Sequence, residues 1–343
     1  MLQSSVATMK NVNLKDMAKK LNLSVSTVSK ALNDSYEINP ETKKRVLDLA
    51  AELNYQPNPY ASSLRGQKSK TIAVIIPEIA NNFFTLAIKG IESVAQKHGY
   101  HVLIYLTNED HTKEAEITQL LQNGRVDGIL MSLSSGTTDY AHLEQLHKKA
   151  IPVVFFDRVA EDPEASKVTT DDYESGYKAT EHLIEQGCKR IAHLTMSTHL
   201  SICKKRMEGY IDALKDHGMK QEDILVLSFS QSDENSYDRI RDLLAQTDRP
   251  DGIFTAVEKL AFYCYEACSE LHINMPGSLK LISFSNLETA NYLSPSLTTI
   301  TQPAFDIGEE AAAILFKSIS TESIQNRSAI FKSQLIKRKS TGC

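Results

Sequence analysis

The chain has 343 residues, 41% of them apolar and 24% charged, the balance of a soluble globular protein of two or three domains. No apolar run reaches the roughly 18 residues of a membrane helix, and the opening MLQSSVATMK has no apolar core for a signal peptide, so a cytoplasmic location without membrane contact is expected. The formal net charge of −5 hides an asymmetry: residues 1–70 carry 11 Lys/Arg and 6 Asp/Glu (+5), leaving 27 against 37 (−10) for the remainder, as expected when only the head meets an anionic polymer.

The first predicted helix starts at Asn13, a good N-cap, and Leu14, Met17, Ala18 and Leu21 form its apolar face. After the tight connection Asn22-Leu23-Ser24, Ser24 caps a second helix, VSTVSKAL, with Val28, Ala31 and Leu32 inward and Val25, Ser26, Ser29, Lys30 and Asn33 outward. Two helices joined by so few residues, the second with a slim polar face, suit a helix-turn-helix that reads base edges in the major groove. A third helix opens with Asn39-Pro40-Glu41, buries Val46, Leu49, Ala50 and Leu53, and turns Lys43, Lys44 and Arg45 outward. Periodicity alone also allows a small helical domain with a solvated charged face.

From Lys70 onward, short β-branched runs alternate with helical stretches: IAVII, VLIYL, GILMS, PVVFF, IAHLT, ILVLS, GIFTA and LISFS. Strands spaced by helices predict parallel α/β sheets. The pattern also echoes itself. Ile72-Ala73 recurs at Ile191-Ala192, Gly90 with His98-Gly99 recurs at Gly209 with His217-Gly218, and Arg125-Val-Asp-Gly-Ile recurs at Arg249-Pro-Asp-Gly-Ile. Two similar lobes with facing strand ends would enclose a ligand cleft.

The run from Leu14 to Gly66, with TVSKALN, ETKKRV and NYQPNPYASSLR in order, closely resembles the headpiece of the LacI/GalR family of bacterial regulators. NNFFTLAIKGIE, IPVVFFDR, EHLIEQGCKRIAHL, RMEGYIDALKDHG and SPSLTTITQPAFDIGEEAA extend the likeness over the body. The resemblance implies a helix-turn-helix headpiece at 10–57, a hinge helix and linker at 58–69, and a two-lobed periplasmic-binding-protein-like α/β core at 70–343. The N-lobe would span about 70–168 and 298–325, and the C-lobe about 169–297 and 326–343. It implies a DNA-contacting set of Ser24, Val25, Ser26, Ser29, Lys30, Asn33, Asn58 and Leu64, the last a wedge that kinks the duplex from the minor groove. It implies an effector cleft lined by Phe83, Phe84, Asp157, Arg206, Glu258, Ser285 and Gln302. Each has a plainer reading: Phe83 and Phe84 as core or dimer contacts, Asp157 bridged to Arg158, Arg206 as a surface helix residue, Leu64 as ordinary packing.

Two positions depart from the family pattern. Val257-Glu258 and Ser285-Asn286 stand where Asn-Asp and Asp-Asp are common, so the plain monosaccharide inference is unsafe, and a modified, acidic or phosphorylated sugar, or another metabolite, stays open. The function implied is a sequence-specific transcription regulator, a repressor, with double-stranded pseudo-palindromic operator DNA and a carbohydrate-like effector as partners. The ending LIKRKSTGC carries no leucine heptad, so a homodimer is expected. A transporter's solute-binding protein would have no use for residues 10–66. An enzyme is disfavoured by the lack of a phosphate-cradling loop or a Gly-x-Ser-x-Gly elbow. No cofactor or metal is expected: the ten histidines are dispersed in sequence, the five cysteines are scattered, and Cys264 with Cys268 lacks partners for a zinc site.

Overall fold

A computed structural model describes residues 13–32, 34–53, 55, 68–160, 165–196, 200–229, 235–321, 323 and 326–343. The chain divides into two compact units between Ser69 and Lys70. No helix among the described residues is long and apolar enough to cross a membrane.

In the first unit, α1 (Leu14–Leu21) opens with a reciprocal cap. The Asn13 side chain accepts from the Lys15 and Asp16 N–H groups at 2.9 and 3.0 Å, and Asp16 accepts from Asn13 N–H at 3.2 Å. Asn22, in the left-handed region at φ 54°, turns the chain. Helix α2 (Val25–Leu32) follows, its Thr27 N–H donating to Ser24 Oγ at 3.0 Å. Asn39 caps α3 (Pro40–Glu52), with Pro40 placed where no backbone donor is needed. Met17, Ala18, Val28, Ala31, Val46 and Ala50 meet as the core, and Leu14, Leu21, Leu32, Leu49 and Leu53 pack around it.

The second unit holds two six-stranded sheets. The first contains β1 (Thr71–Ile76), β2 (His101–Leu106), β3 (Gly128–Met131), β4 (Val153–Phe156), β5 (Ser166–Thr170) and β11 (Ser328–Phe331), in the order β11-β5-β4-β3-β1-β2, all parallel. The second contains β6 (Ile191–Thr195), β7 (Leu225–Ser228), β8 (Gly252–Thr255), β9 (Lys280–Phe284), β10 (Thr298–Thr301) and β12 (Gln334–Ile336), in the order β12-β10-β9-β8-β6-β7. Only β12 runs antiparallel. The internal echo is thus architectural: β2-β1-β3-β4-β5 and β7-β6-β8-β9-β10 share one doubly wound order. Central strands buried on both faces explain the unbroken apolar runs.

The helices of the core are α4 (Asn82–Lys97), α5 (His111–Leu121), α6 (Ala141–Lys148), α7 (Asp172–Glu185), α8 (Ser201–Asp216), α9 (Ser236–Ala245), α10 (Glu258–Glu270) and α11 (Ala304–Thr321). The echoed glycines sit where helix backbones touch. A Cβ on Gly209 of α8 would lie 2.2 Å from the Tyr173 carbonyl oxygen, and one on Gly90 of α4 would lie 2.1 Å from that of Phe305.

The lobe crossings fall later than 298 and 325. Residues Thr298–Ile300 pair with Ile282–Phe284, so β10 belongs to the second lobe, and the return comes at Gln302. Residues Ser328–Phe331 pair with Lys167–Thr170, so β11 belongs to the first. The crossings are tied side by side: Gln302 Nε2 donates to Thr170 Oγ1 at 3.1 Å, and Ser333 N–H donates to Asp171 Oδ1 at 2.7 Å.

Candidate effector cleft and nucleic-acid interface

The loops that follow strands of the two lobes meet around an open cleft. All of Phe83, Phe84, Asp157, Arg206, Glu258, Ser285 and Gln302 line it. Asn81, Arg158, Ile202, Ala256, Val257, Phe284 and Asn286 complete the wall.

On the first lobe, Asn81 caps α4 by accepting from Phe83 N–H at 3.0 Å. That fixes Phe83 and Phe84 in the opening turn, edge to face at 5.4 Å. Both also belong to the lobe core, so the packing and lining readings hold together. Asp157 leaves β4 in the left-handed region, at φ 60°. Its carboxylate stands 4.0 Å from Arg158 Nε, so the adjacent pair is not the main bridge. Arg158 Nη1 instead donates to both oxygens of Glu109, at 2.6 and 2.8 Å. Burial pushes the Asp157 carboxyl above its ordinary range, against the pull of Arg158 and Arg206.

On the second lobe, Arg206 is buried rather than a surface residue. Its Nε donates to Asp172 Oδ1 at 2.8 Å, its Nη1 donates to the Ala256 carbonyl at 2.7 Å, and its plane lies 3.6 Å over the Phe284 ring. Burial raises Asp172 to about 6 in spite of that guanidinium. Ser285 Oγ donates to Glu258 Oε2 at 2.6 Å. Burial pushes Glu258 up, opposed by the same hydrogen bond. Asn286 Nδ2 donates to the Gln302 carbonyl at 2.6 Å.

Both cleft cations are engaged by buried carboxylates. One buried donor, Arg158 Nε, nevertheless has no hydrogen-bond acceptor, whereas Arg206 Nη2 stands 2.7 Å from Asp172 Oδ1. Buried donors of that kind ask for a partner. Acceptors stand in the same wall at Asp157 and Glu258, with phenyl rings at Phe83, Phe84 and Phe284. Sequence reasoning missed Asp172 and Glu109, which anchor the arginines. The signal for Asp172 was its place at the start of a helix after a strand too polar to recognise.

In the headpiece, Ser24, Ser26 and Lys30 are exposed, while Val25 and Ser29 are half-buried. Val25 packs on the helical core, so its outward placement is only partial. Lys30 forms an ion pair with Glu37, an interaction the sequence did not signal. Lys43 donates to Asp34 Oδ1 at 2.7 Å. Asn33, Asn58 and Leu64 lie outside the described residues.

Two family descriptions match the chain: bacterial regulatory proteins of the lacI family over residues 13–58, and periplasmic binding proteins and sugar binding domain of LacI family over residues 69–339. The ribose operon repressor of Halalkalibacterium halodurans is 31% identical over 328 residues, 96% of each chain. A crystal structure of a LacI family transcriptional regulator from Enterococcus faecium with bound ribose shares 28% identity at a TM-score of 0.70, covering 79% of this chain and 98% of that one. The lac repressor dimer bound to operator and the anti-inducer ONPF shares the fold at a TM-score of 0.82 and 21% identity, covering 97% and 99%.

Proposed function

The chain belongs to the LacI family of bacterial regulatory proteins, and on that premise we propose that it is a repressor whose operator affinity is set by a neutral, polyhydroxylated effector, a sugar or sugar derivative. The observation that carries the choice of effector is the state of the cleft's arginines. Each is held by a carboxylate of the protein itself. A phosphate or carboxylate would have to displace Glu109 or Asp172 from a guanidinium, leaving a buried acid unpaired, a change that costs about 3–5 kcal/mol. It would also face Asp157 and Glu258. A neutral polyol needs no such exchange. Its hydroxyl hydrogens go to Asp157 and Glu258, and its apolar face lies on a phenyl ring of the wall.

In this reading Ser24, Val25, Ser26, Ser29, Lys30 and Asn33 meet the major groove, with Asn58 and Leu64 in the hinge. A homodimer places two such helices on a pseudo-palindromic duplex. The cleft controls them because the effector binds one arrangement of the lobes better than the other, and only that difference moves operator affinity. The three crossings at Asp171, Gln302 and Ser333 are the flexing points. No step in this scheme requires catalysis.

Calorimetry of the intact chain against neutral monosaccharides, polyols and their phosphate esters tests the effector class. A neutral sugar is expected to bind at least about tenfold tighter than its phosphate. Tighter binding by the phosphate or a uronic acid would overturn the assignment.

A further inference from the structure

We propose that His111, Glu114 and His142 form a binding site in the first lobe for a late first-row divalent cation, zinc being the best fit. One donor atom from each lies within 4.8 Å of the others. His111 and Glu114 stand one turn apart on α5, and His142 enters from the first turn of α6. His142 is remote in the chain and meets the other two only through the packing of the two helices.

The carboxylate is built as a ligand. Glu114 is fully buried, with 0% exposure. Its Oε2 accepts from Ser134 N–H at 2.8 Å, its Oε1 accepts from Thr137 Oγ1 at 2.8 Å, and His142 Nε2 stands 3.0 Å from Oε1. These contacts fix the orientation of the group, as outer partners do around bound metals. They do not neutralise it: among the described residues, no lysine or arginine lies within ion-pair distance of Glu114.

The imidazoles supply the remaining donors. His111 Nε2 lies 3.7 Å from Asp139 Oδ2, while its Nδ1 is buried without a hydrogen-bond partner. The carboxylate lies near one ring nitrogen, beyond hydrogen-bond distance, and the other nitrogen is left bare. The two rings meet edge to face at 5.1 Å. With metal–nitrogen bonds of about 2.0–2.1 Å, tetrahedral ligands sit roughly 3.4 Å apart. His142 and Glu114 stand near that separation at 3.0 Å, and the His111 donor lies within 4.8 Å of both. Two imidazoles and one carboxylate suit zinc better than calcium or magnesium, and leave one position for water.

The site is linked to the cleft through one short loop. Ser134 N–H is held by Glu114, and the next N–H, that of Ser135, is held by Glu109 at 2.6 Å. Glu109 is the partner of Arg158. A bound cation therefore stiffens the support behind one wall of the effector site.

The test uses the intact chain, stripped with a chelator and titrated with Zn²⁺ by calorimetry and with Co²⁺ by visible absorption. One ion per chain at micromolar affinity or tighter is expected, with a rise in melting temperature that EDTA reverses. His111→Gln and His142→Ala should each weaken Zn²⁺ binding by about 100-fold or more, while Cys343→Ser, a change to an exposed thiol elsewhere, leaves it unaltered. Far-UV circular dichroism of the metal-free variants establishes that they fold. Absence of stoichiometric binding by the parent chain overturns the proposal without recourse to any variant. Zn²⁺ affinity unchanged in folded His111→Gln also overturns it.

Discussion

Gly176→Ala puts the packing behind Arg206 to a direct test. Helices α7 and α8 cross at Gly176 and Gly209. A Cβ on Gly176 would lie 2.4 Å from the Arg206 carbonyl oxygen and 2.9 Å from the Arg206 Cα. Those atoms are backbone and cannot rotate away. Ordinary contact begins near 3.4 Å, so α8 must retreat by up to about 1 Å, an overpacking that costs about 1–3 kcal/mol. For a unit of this size that is roughly 4–8 °C in melting temperature at the middle of the range. The retreat also pulls Arg206 from Asp172 and from the Phe284 ring, so effector affinity should fall by about tenfold or more. Differential scanning calorimetry reads the first effect and effector titration the second. Gly136→Ala is the matched control, since its added Cβ would meet nothing closer than 3.5 Å. Melting of Gly176→Ala within about 1 °C of the parent, with unchanged effector affinity, would refute the close-crossing argument.

Arg206→Met should destabilise the core by about 3–5 kcal/mol, because Asp172 is left buried without its cation; urea unfolding measures it, and a loss below about 1 kcal/mol contradicts the buried-pair reading. His193 is buried against Tyr210 and Phe254, and burial lowers it to about 3. The unfolded chain therefore binds a proton that the folded one refuses, and stability falls as pH drops below about 6.5. Between pH 7 and 5 this group alone accounts for about 2 kcal/mol. The loss of stability over that window should shrink by that amount in His193→Phe, and an identical pH profile in parent and variant would show that His193 is not the group responsible. Leu64→Ala should weaken operator binding and reduce DNA bending in a gel-phasing assay; unaltered bending removes the wedge role.

The fold was legible wherever burial on both faces of a strand demanded an unbroken β-branched run, as in Ile72–Ile76 and Ile191–Thr195. The strands that went unread are those at the crossings. Ser166–Thr170 and Thr298–Thr301 are rich in hydroxyl side chains, and β11 takes a partner remote in sequence, so no local apolar period announces them. That gap displaced two lobe boundaries. Seven of the residues that line the cleft were expected from the family likeness, but its electrostatics were not legible. A bridge between neighbouring Asp157 and Arg158 was the plainer alternative for both. The left-handed backbone at Asp157 and the reach of Glu109 across the loop gave Arg158 a different partner. The histidines looked dispersed for the same reason: only helix packing brings His142 to Glu114.

The central claim is a basic headpiece reading a duplex under the control of a neutral ligand in the core. Its most direct test is operator selection from random duplexes with the pure intact chain at physiological salt, repeated with the neutral sugar that calorimetry identifies. A pseudo-palindromic sequence bound at least about 1,000-fold more tightly than random DNA, with that ratio shifted by the sugar and not by its phosphate ester, is the predicted result. Failure of any duplex to outcompete random DNA, or a selected duplex whose affinity no cleft ligand alters, would contradict it.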